Sequence, residues 1–249
     1  MTANNEKWVM DWFERLALDC TPTSVSGEAI VLYLPFSADI EVLRRCANVL
    51  SDQERQRADL FKTDDGKCRF IQRRAFRRYC AFLADGSYQD LSQIQFQESS
   101  KGRPFLPDRE DLWFSFSSCV TGCLGAWSSS HTIGVDIESE RQNIEAVELA
   151  YQFFTGGEAA NIAKLEGRAR DQTFLRYWSL KEAALKSIGE GLPFGMGAFE
   201  FHLVPEVRVV RAPRDASRFS AYLVPAPDSS AALVMQAKLS QRLRLQKSE

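Results

Sequence analysis

Long apolar runs are missing from this chain: nowhere in its 249 residues is there the stretch of about 18 apolar residues that a helix needs to cross a bilayer. Its opening segment, 1–18, mixes Glu6, Lys7, Asp11, Glu14 and Arg15 among apolar groups, a pattern that predicts an amphipathic helix and not a secretory leader. Imidazole is scarce, with only His131 and His202, and the six cysteines include no Cys-x-x-Cys pair. A zinc site of the usual spacing is thereby excluded. Charge of one sign is lacking too. A net charge of −2 supplies no general field for nucleic acid, so any anion site must be local. Without a leader or a disulfide pattern, the expectation is reduced, mostly buried thiols in a cytoplasmic protein.

What is present, with 45% hydrophobic residues, suffices for a sizeable core, as one large domain or two modules of about 120 residues. The segment Ile133-Gly134-Val135-Asp136-Ile137-Glu138 alternates. On a strand this sends Val135 and Ile137 into a core and brings Asp136 and Glu138 out together on the other side. Two carboxylates on one face repel, and a proton, a basic partner or a hard cation such as Mg2+ must relieve them. A second informative segment, 173–186, is expected to be a helix capped by Asp171. It puts Phe174, Trp178, Lys181 and Leu185 on one face, with the Lys181 ammonium snorkelling to water, and it predicts an i,i+4 ion pair between Glu182 and Lys186.

From 67 to 83, Arg69, Arg73 and Arg77 recur every four residues. This predicts a helix with a cationic ridge, either solvated or a docking surface for polyphosphate, whose oxygens match guanidinium forks. Ser99-Ser100-Lys101-Gly102-Arg103-Pro104 reads as a flexible turn whose backbone N–H groups and two cations can approach a phosphate. Helices are expected after Ser37 and Asp39, after a capping box at Ser51 and Glu54, and at 144–154 and 155–165. Strands are expected at 29–34, 94–97, 113–117 and 122–127. Four more, at 199–204, 207–210, 219–224 and 231–239, fit an antiparallel meander. The run Ser128-Ser129-Ser130 marks the boundary between two halves, and the predicted class is α+β.

In order along the chain stand Gly102-Arg103-Pro104 followed by Pro107-Asp108, then Gly134-Val135-Asp136-Ile137-Glu138, then Phe153-Phe154-Thr155 with Glu158. The last is Trp178-Ser179-Leu180-Lys181-Glu182-Ala183-Ala184-Leu185-Lys186, continued by Gly189-Glu190-Gly191-Leu192. By this ordered set, across about residues 50–200, the sequence resembles the 4'-phosphopantetheinyl transferases of the Sfp (surfactin-synthetase-activating) type. The resemblance implies an α+β fold of two pseudo-symmetric halves, each a small antiparallel sheet with packed helices, and an active site between them. The half 1–128 would supply nucleotide and phosphate contacts, and the half 129–249 the metal and catalytic acids. It implies an enzyme, a holo-[carrier protein] synthase: Mg2+-dependent transfer of the 4'-phosphopantetheine arm of coenzyme A, as co-substrate, to a serine hydroxyl of an apo acyl or peptidyl carrier protein. Adenosine 3',5'-bisphosphate would be released.

The resemblance also assigns roles. Asp136, Glu138 and Glu182 would hold the metal; Glu182, with Asp136 and Lys181, would be catalytic. Coenzyme A would contact Arg57, Arg69, Lys101, Gly102, Arg103, Ser115, Ser117, Asp136 and Lys186. Neither nucleic acid nor membrane is an expected partner, and the chain is expected to be a monomer. Relatives carry Asn-x-Ser-His before the core strand, with the His on the 3'-phosphate of coenzyme A. Here Ser115-Phe116-Ser117-Ser118 stands in its place, so Ser118 replaces the His and arginines such as Arg57 are expected to compensate. A carrier helix is expected near Phe153-Phe154 and 159–165. Two other classes fit parts of the pattern: a metal-dependent nuclease, against which the net acidity counts, and a non-catalytic docking module, against which the three retained acids count.

Overall fold

The computed structural model describes residues 23–26 and 28–237. The opening helix expected at 1–18 and Cys20 lie outside the described residues. In chain order the elements are β1 (Thr23–Val25), β2 (Ala29–Pro35), α1 (Ile40–Asn48), α2 (Asp52–Asp59), α3 (Asp64–Ala84), β3 (Gln97–Glu98), β4 (Pro104–Phe105), β5 (Trp113–Ser118) and β6 (Gly122–Ser128). They continue as β7 (His131–Ser139), α4 (Ala146–Phe153), α5 (Gly156–Ala163), α6 (Gly167–Ser187), β8 (Glu200–His202), β9 (Arg208–Arg211), β10 (Phe219–Val224) and β11 (Ser229–Ala237).

Two antiparallel sheets lie at the centre, one in the order β1-β2-β6-β5 and the other β10-β11-β7, and the chain passes from the first to the second through Ser129 and Ser130. Alternation explains how they stack. Ala29, Val31, Tyr33, Leu124 and Ala126 of the first sheet meet Ile133, Val135, Ile137, Leu233 and Met235 of the second in one buried layer. The outer face of the first sheet is covered by α3 through Phe76, Tyr79 and Cys80. That of the second is covered by α6 through Phe174, Leu180 and Leu185. The result is a mixed helix and antiparallel-sheet fold with helices on both outer faces.

Several expectations are corrected. The four tail strands are not one meander: β8 and β9 pair by themselves, while β11 lies between β10 and β7, with Ala231 opposite Ile137 and Leu233 opposite Val135. Alternate residues of β11 enter different clusters, Ala232 and Val234 against α6 and Leu233 and Met235 between the sheets. A strand apolar on both faces belongs in a sheet's interior. The strand expected at 94–97 is a short helical turn, Leu91–Gln93, leading only into β3, because Leu91 and Ile94 both point into the core. Asp171 does not cap α6, which begins at Gly167; it is buried inside the helix and accepts the Asn143 amide at 3.0 Å.

Other start signals hold. Asp39 accepts amides at the start of α1, and the Ser51–Glu54 capping box opens α2. Cys46, Cys80 and Cys123 are buried. Burial pushes the Cys46 thiol up to about 12, which leaves it inert at neutral pH.

One contact fixes how β7 meets α6. A Cβ on Gly134 would overlap the Ala183 carbonyl and the Ser187 amide of α6. The helix therefore rests directly on the strand's backbone, as only glycine permits. Gly134→Ala is expected to cost about 2–3 kcal/mol of stability, read by denaturant melts, with carboxylates on strand and helix driven apart.

Candidate active site

Strand alternation and the Gly134 crossing together bring carboxylates from β7 and α6 to one place. Asp136, whose side chain points toward α6, is 4% exposed and does not emerge into water as alternation alone predicts. Its Oδ1 accepts the Ser117 hydroxyl at 2.8 Å and the Lys186 ammonium at 2.7 Å. Its Oδ2 is buried with no hydrogen-bond partner. Lys186 also donates to the Val135 carbonyl at 3.2 Å and to Ser117 Oγ at 3.3 Å. The expected Glu182–Lys186 pair is thus replaced by one reaching from helix to strand, since a half-buried cation gains more from an enclosed carboxylate than from a helix neighbour.

Glu138 and Glu182 are half-buried. Burial pushes the Glu182 carboxyl above the usual range; Lys186 pulls it down and Asp136 pushes it further up. The Glu138 carboxyl is raised by burial first, then by Asp136, with a smaller push from Glu182 and opposition from Arg141 and Lys186. The three carboxylates feel one another. They do not form a ready-made cage: among the described residues no group of three or more His, Cys, Asp or Glu side chains is gathered tightly enough to hold a metal ion. An orphaned buried oxygen and two carboxyls raised by burial and then by neighbouring negative charge nonetheless mark a place short of positive charge, and an all-oxygen donor set fits a hard divalent cation.

Because both glutamates titrate higher in the fold than in the unfolded chain, the folded state holds the extra proton, and stability falls as pH rises from the ordinary carboxylate range through the raised values. Glu182→Gln removes one of these costs. In chelator it is expected to melt above the parent at about pH 8, with the gap closing toward about pH 5. A lower melting point at both pH values would contradict the crowding.

Beside the carboxylates runs a cationic cleft of about 310 Å³, lined by Arg57, Arg73, Arg74, Arg77, Ser117 and Ser118. The ridge on α3 forms its wall. Arg73 reaches Ser118 Oγ at 3.3 Å, Arg77 lies over the Phe116 ring at 5.3 Å, and Arg57 lies over Phe70 at 5.7 Å. Burial lowers the Arg77 guanidinium to about 10, with Arg74 adding to the push. Glu98, in the same lining, offsets part of that crowding at 3.5 Å from Arg77 and 3.8 Å from Arg74, and a bound anion would relieve more of it. Arg73, Arg74 and Arg77 were not among the residues assigned to coenzyme A, although their helical spacing is the signal that finds them. Arg69 stands apart, paired with Asp65 at 3.0 Å and lining a neighbouring cleft with Arg73 and Glu138. A further cleft of about 260 Å³ joins Arg77, Lys101, Gly102, Arg103 and Ser115 to Glu182 and Lys186.

Five expected site residues have other engagements. Lys181 does not snorkel. It is fully buried, ion-paired with Glu158 at 2.7 Å and donating to the Phe199 and Met196 carbonyls at 2.7 and 3.2 Å. Helical rotation turns adjacent residues about 100° apart, so Glu182 faces the carboxylates while Lys181 faces the core. Ser115 Oγ accepts the Val135 amide at 3.0 Å and ties the two sheets. Lys101 pairs with Glu190. The 99–103 turn, with Gly102 at φ +79°, is closed on itself: Ser99 Oγ accepts the Arg103 amide and the Ser99 carbonyl accepts the Gly102 amide. Those two amides are not available to a phosphate.

The 4'-phosphopantetheinyl transferase superfamily matches residues 132–230, which cover β7 from its second residue and all of α6. The chain is 30% identical over 173 residues to the 4'-phosphopantetheinyl transferase HetI of Nostoc sp., covering 68% of this chain and 72% of HetI. It is 30% identical over 114 residues to the 4'-phosphopantetheinyl transferase Sfp of Bacillus subtilis, covering 46% and 50% respectively. To the L-aminoadipate-semialdehyde dehydrogenase-phosphopantetheinyl transferase of Xenopus laevis it is 29% identical over 172 residues, 64% of this chain and 56% of that protein. The chain belongs to the 4'-phosphopantetheinyl transferase superfamily, and is therefore an enzyme.

Proposed function

We propose that this enzyme transfers the 4'-phosphopantetheine arm of coenzyme A to a serine hydroxyl of an apo acyl or peptidyl carrier protein, with Mg2+, and releases adenosine 3',5'-bisphosphate. The observation that carries this reading is the meeting of Asp136, Glu138 and Glu182 with Lys186 beside an arginine-walled cleft. In it, residues 1–128 contribute the nucleotide contacts and 129–249 the metal and catalytic acids. Asp136, Glu138 and Glu182 would hold the Mg2+, which when bound neutralises diphosphate oxygens.

The rest is done by side chains of this chain. Arg57, Arg73, Arg74 and Arg77 supply guanidinium forks for the phosphates of the nucleotide, and Arg73 with Ser118 takes over where relatives have His. Lys186 moves from Asp136 toward the diphosphate and stabilises the leaving oxygen. Glu182 takes the serine proton, directly or through water, as the serine oxygen bonds to the phosphorus that carries pantetheine. The bond from that phosphorus to the bisphosphate oxygen breaks, and the electron pair leaves with adenosine 3',5'-bisphosphate. Beside the ion and Lys186, Glu182 would be an ionised and therefore weak base. Positioning supplies most of the remaining acceleration.

The test is intact mass spectrometry of apo acyl and peptidyl carriers incubated with the enzyme, Mg2+ and coenzyme A. The expected result is a gain of one phosphopantetheine that chelator abolishes. No gain on any carrier, with coenzyme A bound, would overturn the reading.

A further inference from the structure

The guanidinium of Arg103 is directed at backbone. Its Nη2 donates to the Lys186 carbonyl at 2.5 Å, the Ser187 carbonyl at 3.1 Å and the Ile133 carbonyl at 3.4 Å. Lys186 and Ser187 are the last two residues of α6, and Ile133 immediately precedes Gly134, where α6 rests on β7. The last carbonyls of a helix have no partner within it and attract a cation.

The residue is also held from behind. Its own amide donates to Ser99 Oγ at 3.1 Å and its carbonyl accepts the Ser99 amide at 2.9 Å. Its guanidinium carbon lies 5.1 Å from the ring centroid of Trp113 on β5. Arg103 thus joins the 99–103 turn and the first sheet to the end of α6. The residue whose carbonyl it takes, Lys186, is the one whose ammonium sits on Asp136.

We propose that Arg103 is a positioning residue, not a phosphate ligand: from the first half of the chain it fixes the last turn of α6 on β7, and so aims Lys186 and Glu182 at Asp136. Lys101, paired with Glu190 just beyond the helix, is a second hold at the same end. The proposal rests on the transferase reading for its kinetic test. It predicts behaviour opposite to that of a phosphate contact, because a lysine supplies a point charge for a phosphate but lacks the flat guanidinium that lies on the Trp113 ring while its outer nitrogen meets the three carbonyls.

The experiment compares the full-length parent with Arg103→Lys and Arg103→Met in steady-state loading of an apo-carrier. Coenzyme A binding without carrier is measured by calorimetry, and amide exchange over 186–190 is followed in parallel. Both variants are expected to lose about 10–100-fold in kcat, to keep the KM and the Kd for coenzyme A within about twofold, and to exchange faster at 186–190. Near-parental kcat in Arg103→Lys overturns the proposal, as does a tenfold rise in the KM for coenzyme A at unchanged kcat. A lower melting point with kcat unchanged also overturns it, since the residue would then be structural only. If Arg103→Met does not fold, Trp113→Leu takes its place and is expected to lower kcat without moving the KM for coenzyme A; an unchanged kcat there counts against the proposal. If the parent loads no carrier, the transferase reading fails, and amide exchange alone decides whether Arg103 holds the helix end.

Discussion

Lys181→Met is expected to destabilise the fold by about 3–5 kcal/mol, the cost of leaving a buried carboxylate without its cation. Glu158 is 2% exposed and Lys181 fully enclosed, with the ammonium between Glu158 and the Phe199 and Met196 carbonyls. Burial lowers the Lys181 ammonium pKa, and Glu158 opposes that shift. Remove the lysine, and Glu158 keeps its Phe201 amide at 2.9 Å and its capping contacts to Thr155 but loses its counter-charge. Thermal melts should show a deficit of about 10 °C or more at neutral pH. Lys181→Met with Glu158→Gln should regain a large part of the loss. A catalytic Lys181 would behave otherwise: loading would vanish while the melt stayed put.

This pair also marks where legibility in the sequence ends. Period two and period three-and-a-half were readable in the motifs themselves, and they place Val135 and Ile137 between the sheets and Phe174 and Leu185 under α6. They also identify the arginine ridge. Long-range partnership was not readable. Nothing in the run Leu180-Lys181-Glu182 says whether a lysine on an apolar face bends to water or meets a carboxylate, and the carboxylate it meets, Glu158, stands 23 residues earlier on another helix. The helix start at Thr155 was visible, but not that Glu158 caps it and also accepts Lys181 and the Phe201 amide. Lys186 had a helix neighbour within reach, an arrangement of only about 0.3–0.5 kcal/mol. It takes Asp136 instead, which a sequence window cannot weigh. The placement of β11 beside β7 was hidden because a strand apolar on both faces shows no period. The motif likewise names Arg103 and not the backbone carbonyls that its guanidinium meets.

Asp136→Asn is expected to slow carrier loading by about 10²–10³-fold, a loss that more coenzyme A does not restore. The amide fills the same space, and its oxygen can still accept the Ser117 hydroxyl and the Lys186 ammonium that Asp136 Oδ1 accepts now. The shape of the site is therefore kept and only its charge is removed. Asp136 raises both Glu138 and Glu182, so in the variant both carboxyls should titrate lower and the metal-free protein should melt no lower than the parent. Metal affinity should move the other way, weakening by about 10–100-fold, which a Mg2+ titration of the loading rate reads as a raised midpoint. Loss of loading without loss of stability is the signature of carboxylates gathered for an ion and a diphosphate instead of for the fold. If Asp136→Asn loads carriers at the parental rate, the transfer does not pass among these three side chains, and the cationic cleft must serve a chemistry in which they take no part.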